Sequence, residues 1–381
     1  MKICWVWIVG LVLLTIGMTN AVAAMPVSTG KPEIQLAILL DTSNSMDGLI
    51  NQARTQLWNI VNELSGTARH GQSPELQIAL YEYGNDRLAV KDGYIRQVLP
   101  FTIDLDKVSE KLFGLTTMGG QEYCGQVIKV ATDSLSWSPK SEVMKLIFIA
   151  GNEPFTQGHV DYHVSCKSAI AKGITVNTIH CGSEQEGISG GWQQGALLAD
   201  GSYSFIDANQ HEPVIPTPHD TTLQKLNTAL NNTYIPYGRQ GSVGQRNQNL
   251  QDTNALHASV GTSSSRVAAK ASAQYSNASW DLVDAVQNNT VKLAKVKLAD
   301  LPLVMQKQTP RERRAYIEKQ AAARTQLRQQ IAHTNTARTA FLTQAMKKRG
   351  IAVTSTLQTA ISSALRKQAQ KQGFTFTKGN H

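Results

Sequence analysis

Apolar and polar residues alternate in two different rhythms along this 381-residue chain, with a change near residue 232. In the first part, short apolar runs take turns with helical spacing. The run 34–40, with Ile34 followed by Leu36, Ala37, Ile38, Leu39 and Leu40, suits a strand buried on both faces. Leu49, Ala53, Leu57, Ile60, Val61 and Leu64 then recur at helical spacing up to Gly66. Residues 76–83 read as a second strand, and 95–101 as a third at an edge, because Pro100 removes a ladder donor. Asp104 caps a short helix carrying Val108, Leu112 and Phe113, and the loop 115–120 leads into a helix over about 122–135. A fourth strand spans 145–150, then come a helix over 160–172, a strand over 174–180, a helix over 192–198, a strand over 202–206 and a closing helix over 221–231. This order predicts an α/β fold: a doubly wound, mostly parallel sheet with ligands at its carboxyl edge.

The second rhythm is helical. Residues 234–246, rich in Gly and Pro, read as a linker or hinge, and helices are expected at 251–274, 280–299, 310–348 and 355–372. In the long one, Ile317, Ala321, Leu327, Ile331, Thr334, Phe341 and Ala345 approximate one face, interrupted by Arg324 and Arg338. So thin a stripe needs a partner helix, in this chain or another. Phe374 and Phe376 suit a small terminal strand. The organisation expected is a domain at 33–232, a linker at 233–250 and a mostly helical module at 251–381.

Charge separates the same two parts. Residues 1–210 carry a net −6 and residues 211–381 a net +15. A basic half fits an anionic membrane surface, an acidic protein partner or simply a solvated helical face. Nucleic acid is disfavoured by the leader: Lys2, the apolar run 3–18 and Ala21-Val22-Ala23 have the form of a signal peptide over residues 1–24, which implies secretion across the inner membrane into the periplasm. An uncleaved anchor is the alternative reading of that run. Export also permits disulfides. Cys166 and Cys181, placed at a helix start and a strand end, are the favoured pair, with Cys124 as the alternative partner.

The chemistry collects where the first strand ends. Asp41, Thr42, Ser43, Asn44 and Ser45 follow the apolar run, and Asp41-x-Ser43-x-Ser45 resembles the metal-ion-dependent adhesion site of the von Willebrand factor type A (vWA) family. The resemblance implies a vWA/Rossmann-like sheet over about 33–232, and a Mg²⁺ ion, or Mn²⁺ or Ca²⁺, held directly by Ser43 and Ser45 and directly or through water by Asp41. Small hydroxyl ligands suit the close octahedral shell of Mg²⁺, at about 2.0–2.1 Å. Family ligands from two later loops would be Thr117 and Asn152. The sequence departs from the family here, with Gln121 after Gly119-Gly120 where Thr is common, and Asn152 where Asp is usual. This half of the site is depleted of charge unless Asp47 or Glu153 compensates, Gln121 being a further supporting residue. Such an ion would accept a carboxylate from a protein partner, and in the family movement of the last helix, here near 221–231, tunes the site. The same hydroxyls are also ordinary helix-capping residues.

Other constellations are weaker. His159, His163 and Cys166 could begin a soft-metal site but lack a fourth ligand, and His180 reads as a satisfied core or edge histidine. Residues 187–191 read as a turn, and Arg311, Arg313 and Arg314 as the solvated first turn of a helix where cations oppose the dipole. No G-x-S-x-G, H-E-x-x-H, Walker-type loop or paired-cysteine spacing is present, and no general base can be named, so the chain reads as a binding protein and not an enzyme.

Overall fold

A computed structural model describes residues 31–207, 215–350 and 357–376; the leader lies outside them. Element order begins β1 (Glu33–Asp41), α1 (Asp47–Ser65), β2 (Thr67–Ala68), β3 (Glu75–Tyr83), β4 (Ile95–Thr102), α2 (Leu105–Phe113), α3 (Cys124–Ser134), β5 (Met144–Gly151), α4 (Tyr162–Ala171), β6 (Ile174–Cys181), α5 (Glu184–Ser189), α6 (Trp192–Leu198), β7 (Tyr203–Ile206) and α7 (Asp220–Asn231). Six strands form one sheet in the order β4-β3-β1-β5-β6-β7, parallel except for β4, which pairs antiparallel to β3 at the edge. β1 lies centrally and delivers Asp41 to the carboxyl edge, beside Tyr83 of β3.

Two cores flank the sheet, as strict alternation along each strand requires. Leu36, Ile38 and Leu40 face one with Phe148 and Ile179, beneath α1 and α2. Ala37 and Leu39 face the other with Ile147 and Val176, beneath α3, α4 and α6. The alternation also overturns the expected disulfide: Cys166 packs in the second core and Cys181 points into the first, so the sheet lies between them, and Cys124, Cys166 and Cys181 are all free thiols.

The remainder comprises α8 (Gly241–Ala258), α9 (Val260–Lys270), α10 (Leu282–Gln287), α11 (Leu303–Gln306), α12 (Pro310–Lys348), α13 (Leu357–Lys371) and β8 (Thr375–Phe376). The described residues form one compact unit, and no helix among them is long and apolar enough to cross a membrane. The expected hinge is not one. Residues 234–238 are zipped to the chain ahead of α10: Tyr237 N–H donates to the Trp280 carbonyl at 2.9 Å, and Leu282 N–H to the Ile235 carbonyl at 2.8 Å. α8 already begins at Gly241, and the single helix expected at 251–274 is broken at Ser259, whose extended backbone and hydroxyl cap α9. Of the helix expected over 280–299, only α10 is a regular α-helix.

α12 holds its expected span because Thr309 and Glu312 form a reciprocal cap with Pro310 in the first turn. Its buried residues are Ile317, Arg324, Ile331 and Arg338, one every seven positions. The arginines that interrupted the apolar stripe are therefore half of its docking face. Arg324 donates to Asp281 and Asp284, each at 2.6 Å, and lies 4.0 Å over the Tyr234 ring, while Arg338 donates to Asp220 at 2.8 Å. A neighbouring group joins Arg266 to Asp106 at 2.7 Å and to Asp252 at 2.6 Å, with Lys270 at 2.9 Å from Asp252. The partner stripe is found within the chain.

α13 returns to the sheet. Leu357, Ile361, Ala364, Leu365 and Ala369 enter the first core, Gln368 exchanges hydrogen bonds with Asn177 of β6, and β8 pairs with β2. The expectation that α7 closes the sheet domain is thus corrected: residues from the distal helical part complete its core.

Candidate functional site

Three loops are knitted together at the end of β1. Thr42 N–H donates to the Tyr83 carbonyl at 2.9 Å, Met118 N–H to the Thr42 carbonyl at 3.0 Å, and Asp86 N–H to the Gly119 carbonyl at 2.6 Å. Asn85 ties the first loop to the third, donating to the Thr42 and Thr116 carbonyls at 3.3 and 2.8 Å. Such backbone satisfaction fixes the loops without using the site's own side chains.

Asp41 sits at the bottom of the resulting crevice, 0% exposed. Its Oδ1 accepts the Ser43 N–H at 2.8 Å, whereas its Oδ2 has no partner. Ser43 and Ser45 bring their hydroxyls to 3.4 Å of each other. From the loop after β5, the Asn152 Oδ1 is likewise buried without a partner. Two glycines make this closeness possible. A Cβ on Gly151 would lie 3.0 Å from Asp41 Oδ2, and one on Gly84, which has φ +76°, would lie 2.9 Å from Asp41 Oδ1 and 2.8 Å from Glu122 Cγ.

Glu122 is the residue that sequence reading missed. Gln121, considered as support, is exposed, while Glu122 is 5% exposed and turns inward. Its backbone N–H is pinned by Gln157 Oε1 at 2.6 Å, and its side chain lies next to Asp41 over Gly84. The signal was its place, one residue past Gln121 in the loop that supplies the family's third ligand. A second buried carboxylate therefore stands beside Asp41 at this edge of the sheet.

Electrostatics at the crevice are strained by burial. Burial pushes Asp41 up to about 8, with the Ser43 amide opposing and the Glu122 charge adding to the rise. Glu122 is raised to about 7, again chiefly by burial and then by the neighbouring Glu153. No Lys or Arg forms an ion pair with either among the described residues. Thr117 is placed beside Asp47, to whose carboxylate its hydroxyl donates. Glu153 uses its carbonyl to receive the Trp192 indole N–H at 2.9 Å.

The donor set of Asp41, Ser43, Ser45 and Asn152 is all oxygen, partly unpartnered and converging from two strand ends, which fits a hard divalent cation. The soft-metal constellation is not assembled: Cys166 is fully buried, and His163 is engaged at the surface with Asp161 at 2.8 Å. His180 is buried as expected but not satisfied, both ring nitrogens lacking partners, and burial lowers its pKa.

Residues 35–187 match the family model of the von Willebrand factor type A domain. Similar solved structures include the conserved protein BatB from Bacteroides thetaiotaomicron, 20% identical over 46% of this chain and 90% of that one, with TM-score 0.35. An aerotolerance-related membrane protein from Bacteroides fragilis is 18% identical over 46% and 93%, with TM-score 0.32. The SpRpn10 VWA domain is 15% identical over 51% and 95%, with TM-score 0.34. No curated protein matches. The family match, the strand order and the strand-end Asp41-x-Ser43-x-Ser45 agree: this chain carries a von Willebrand factor type A domain.

Proposed function

We propose that this is an exported, non-enzymatic protein whose vWA domain binds a protein partner through a divalent-cation site at the carboxyl edge of its sheet. The observation that carries the reading is two buried oxygens without partners at neighbouring strand ends, Asp41 Oδ2 after β1 and Asn152 Oδ1 after β5, with the Ser43 and Ser45 hydroxyls following Asp41 in its loop. Unpaired buried oxygens are costly to leave alone, and a cation answers that cost. Mg²⁺ suits four small oxygen donors, with Mn²⁺ or Ca²⁺ as substitutes. Asp41, Ser43, Ser45 and Asn152 would hold the ion, Thr117 and Asp47 would brace the rim, and the bound ion would supply a positive charge for a partner's oxygen to approach. Isothermal titration with Mg²⁺ and Mn²⁺ tests the first step: micromolar to millimolar binding that Asp41→Asn removes is expected, and no binding by the folded protein ends the reading.

A second reading has its own observation. Leu298, Leu303 and Val304 are 49, 77 and 57% exposed within one short stretch, and exposed Lys292, Lys295, Lys297, Lys307, Arg311 and Arg314 flank them. Apolar side chains framed by cations suit an anionic lipid surface, and this stretch replaces the α12 stripe as the surface for it, since that stripe is docked internally. Sedimentation with phosphatidylglycerol vesicles at low salt should carry the protein down; failure to bind removes this reading.

A further inference from the structure

We propose that Glu122 is the site's own charged ligand, so that the cation is held without a carboxylate from outside the chain; this rests on the cation-site reading above. Asn152, where the family has Asp, leaves Asp41 as the sole anion among the four donors and so points to a partner's carboxylate as the missing charge. The geometry points elsewhere. Glu122 and Asp41 converge on one spot, their Cγ and Oδ1 lying 2.8 and 2.9 Å from the same position above Gly84. Glu122 is 5% exposed and its backbone is fixed by Gln157. A flexible surface glutamate would turn to water. This one is held among Asp41, Asp86 and Glu153, where like charges oppose one another.

Acidic residues gathered in a cleft do not by themselves make a site. Here the independent sign that something cationic belongs at Asp41 is its orphaned Oδ2, on a fully buried carboxylate whose other oxygen faces Glu122, with the Asn152 Oδ1 orphaned in the adjoining loop. With Asp41 and Glu122 both ionised, a divalent ion is neutralised from within. An acidic partner then meets Asp86 and Glu153 at the rim and is repelled, so a neutral or basic contact face fits better than an acidic one.

The test uses Mn²⁺ as the probe and formate as a small carboxylate, with affinity read by titration and bound waters counted by water-proton relaxation. The wild type should bind Mn²⁺ with formate making no difference. Glu122→Gln should weaken binding by at least about 10- to 100-fold, the range lost even when groups behind metal ligands are removed. Glu122→Ala should be weakened alike, and formate should restore its affinity and displace one water. If both variants bind as the wild type does while Asp41→Asn abolishes binding, the cation site stands and the role of Glu122 falls. If the folded wild type binds no Mn²⁺, the cation reading falls and this inference with it. Should both variants unfold, the wild type decides: tighter Mn²⁺ binding on adding formate overturns the proposal, and no change supports it.

Discussion

Asp281 and Asp41 are both 0% exposed, yet the protein treats them in opposite ways. Asp281 belongs to an ionic seam where Arg324 donates to it and to Asp284, and where Asp281 also accepts the Ile235 N–H at 2.7 Å. Nearby, Arg266 and Lys270 serve Asp252, and Arg338 serves Asp220. Every charge in that seam has an internal answer. Asp41, with Glu122 beside it, accepts one backbone N–H, that of Ser43, and has no cation among the described residues. The difference separates carboxylates used to fix one helix against another from a buried carboxylate that no cation of the described chain answers.

The largest expected effect breaks the seam. Arg324→Met leaves Asp281 buried without its cation and Asp284 with only Arg328, 4.0 Å away, and should cost about 3–5 kcal/mol in urea unfolding. Asp41→Asn, by contrast, spares the folded protein a carboxyl that burial makes costly to ionise, and should leave the cation-free protein as stable or more stable. Equal losses from the two would erase the distinction. Gly84→Ala comes next: its Cβ would press on both crevice carboxylates at a backbone angle few side chains adopt, for about 1–3 kcal/mol and a loss of Mn²⁺ binding.

Acid sharpens the contrast by sign. Burial alone would raise Asp252, but Lys270 and Arg266 hold it well below its usual 3.8, so its stabilisation is present above pH 3.8 and is lost as pH falls below it. Asp41, raised to about 8, runs the other way: between pH 4 and 8 the folded protein holds a proton the unfolded chain releases, so stability falls as pH rises. Asp252→Asn should blunt acid unfolding, and Asp41→Asn should flatten the decline toward pH 8, both read as unfolding midpoints against pH. The smallest effect lies at the exposed apolar stretch around Leu303 and Val304. Leu303→Ser with Val304→Ser should change stability by no more than about 0.5 kcal/mol while reducing vesicle binding.

Much of this was legible before any coordinates. The apolar run at β1 fixed the central strand, and Asp41, Ser43 and Ser45 marked its carboxyl end. The span of α12 was expected from residue 310 to 348. What stayed hidden depends on partners distant in sequence. Arg324 and Arg338 look like solvated interruptions until Asp281 and Asp220, 43 and 118 residues away, are seen beneath them. Glu122 looks like a surface residue until the Gly84 turn places it over Asp41. The hinge read from Gly238 and Pro236 failed because local turn chemistry says nothing of the backbone bonds to residues 280–282.

The return of α13 to the sheet has a consequence for how the chain is made. Some 150 residues separate β7 from Leu357, so a ribosome or translocation channel releases the sheet long before the helix that covers part of it. Until residues 357–376 emerge, the faces of α1 and β6 that bury Ile361 and Leu365 stand open to water, with a greasy surface that chaperones recognise and other nascent chains can stick to. Folding of this protein is therefore committed late, and a chain that stalls in synthesis after the strand-end crevice has been made would carry an unfinished core.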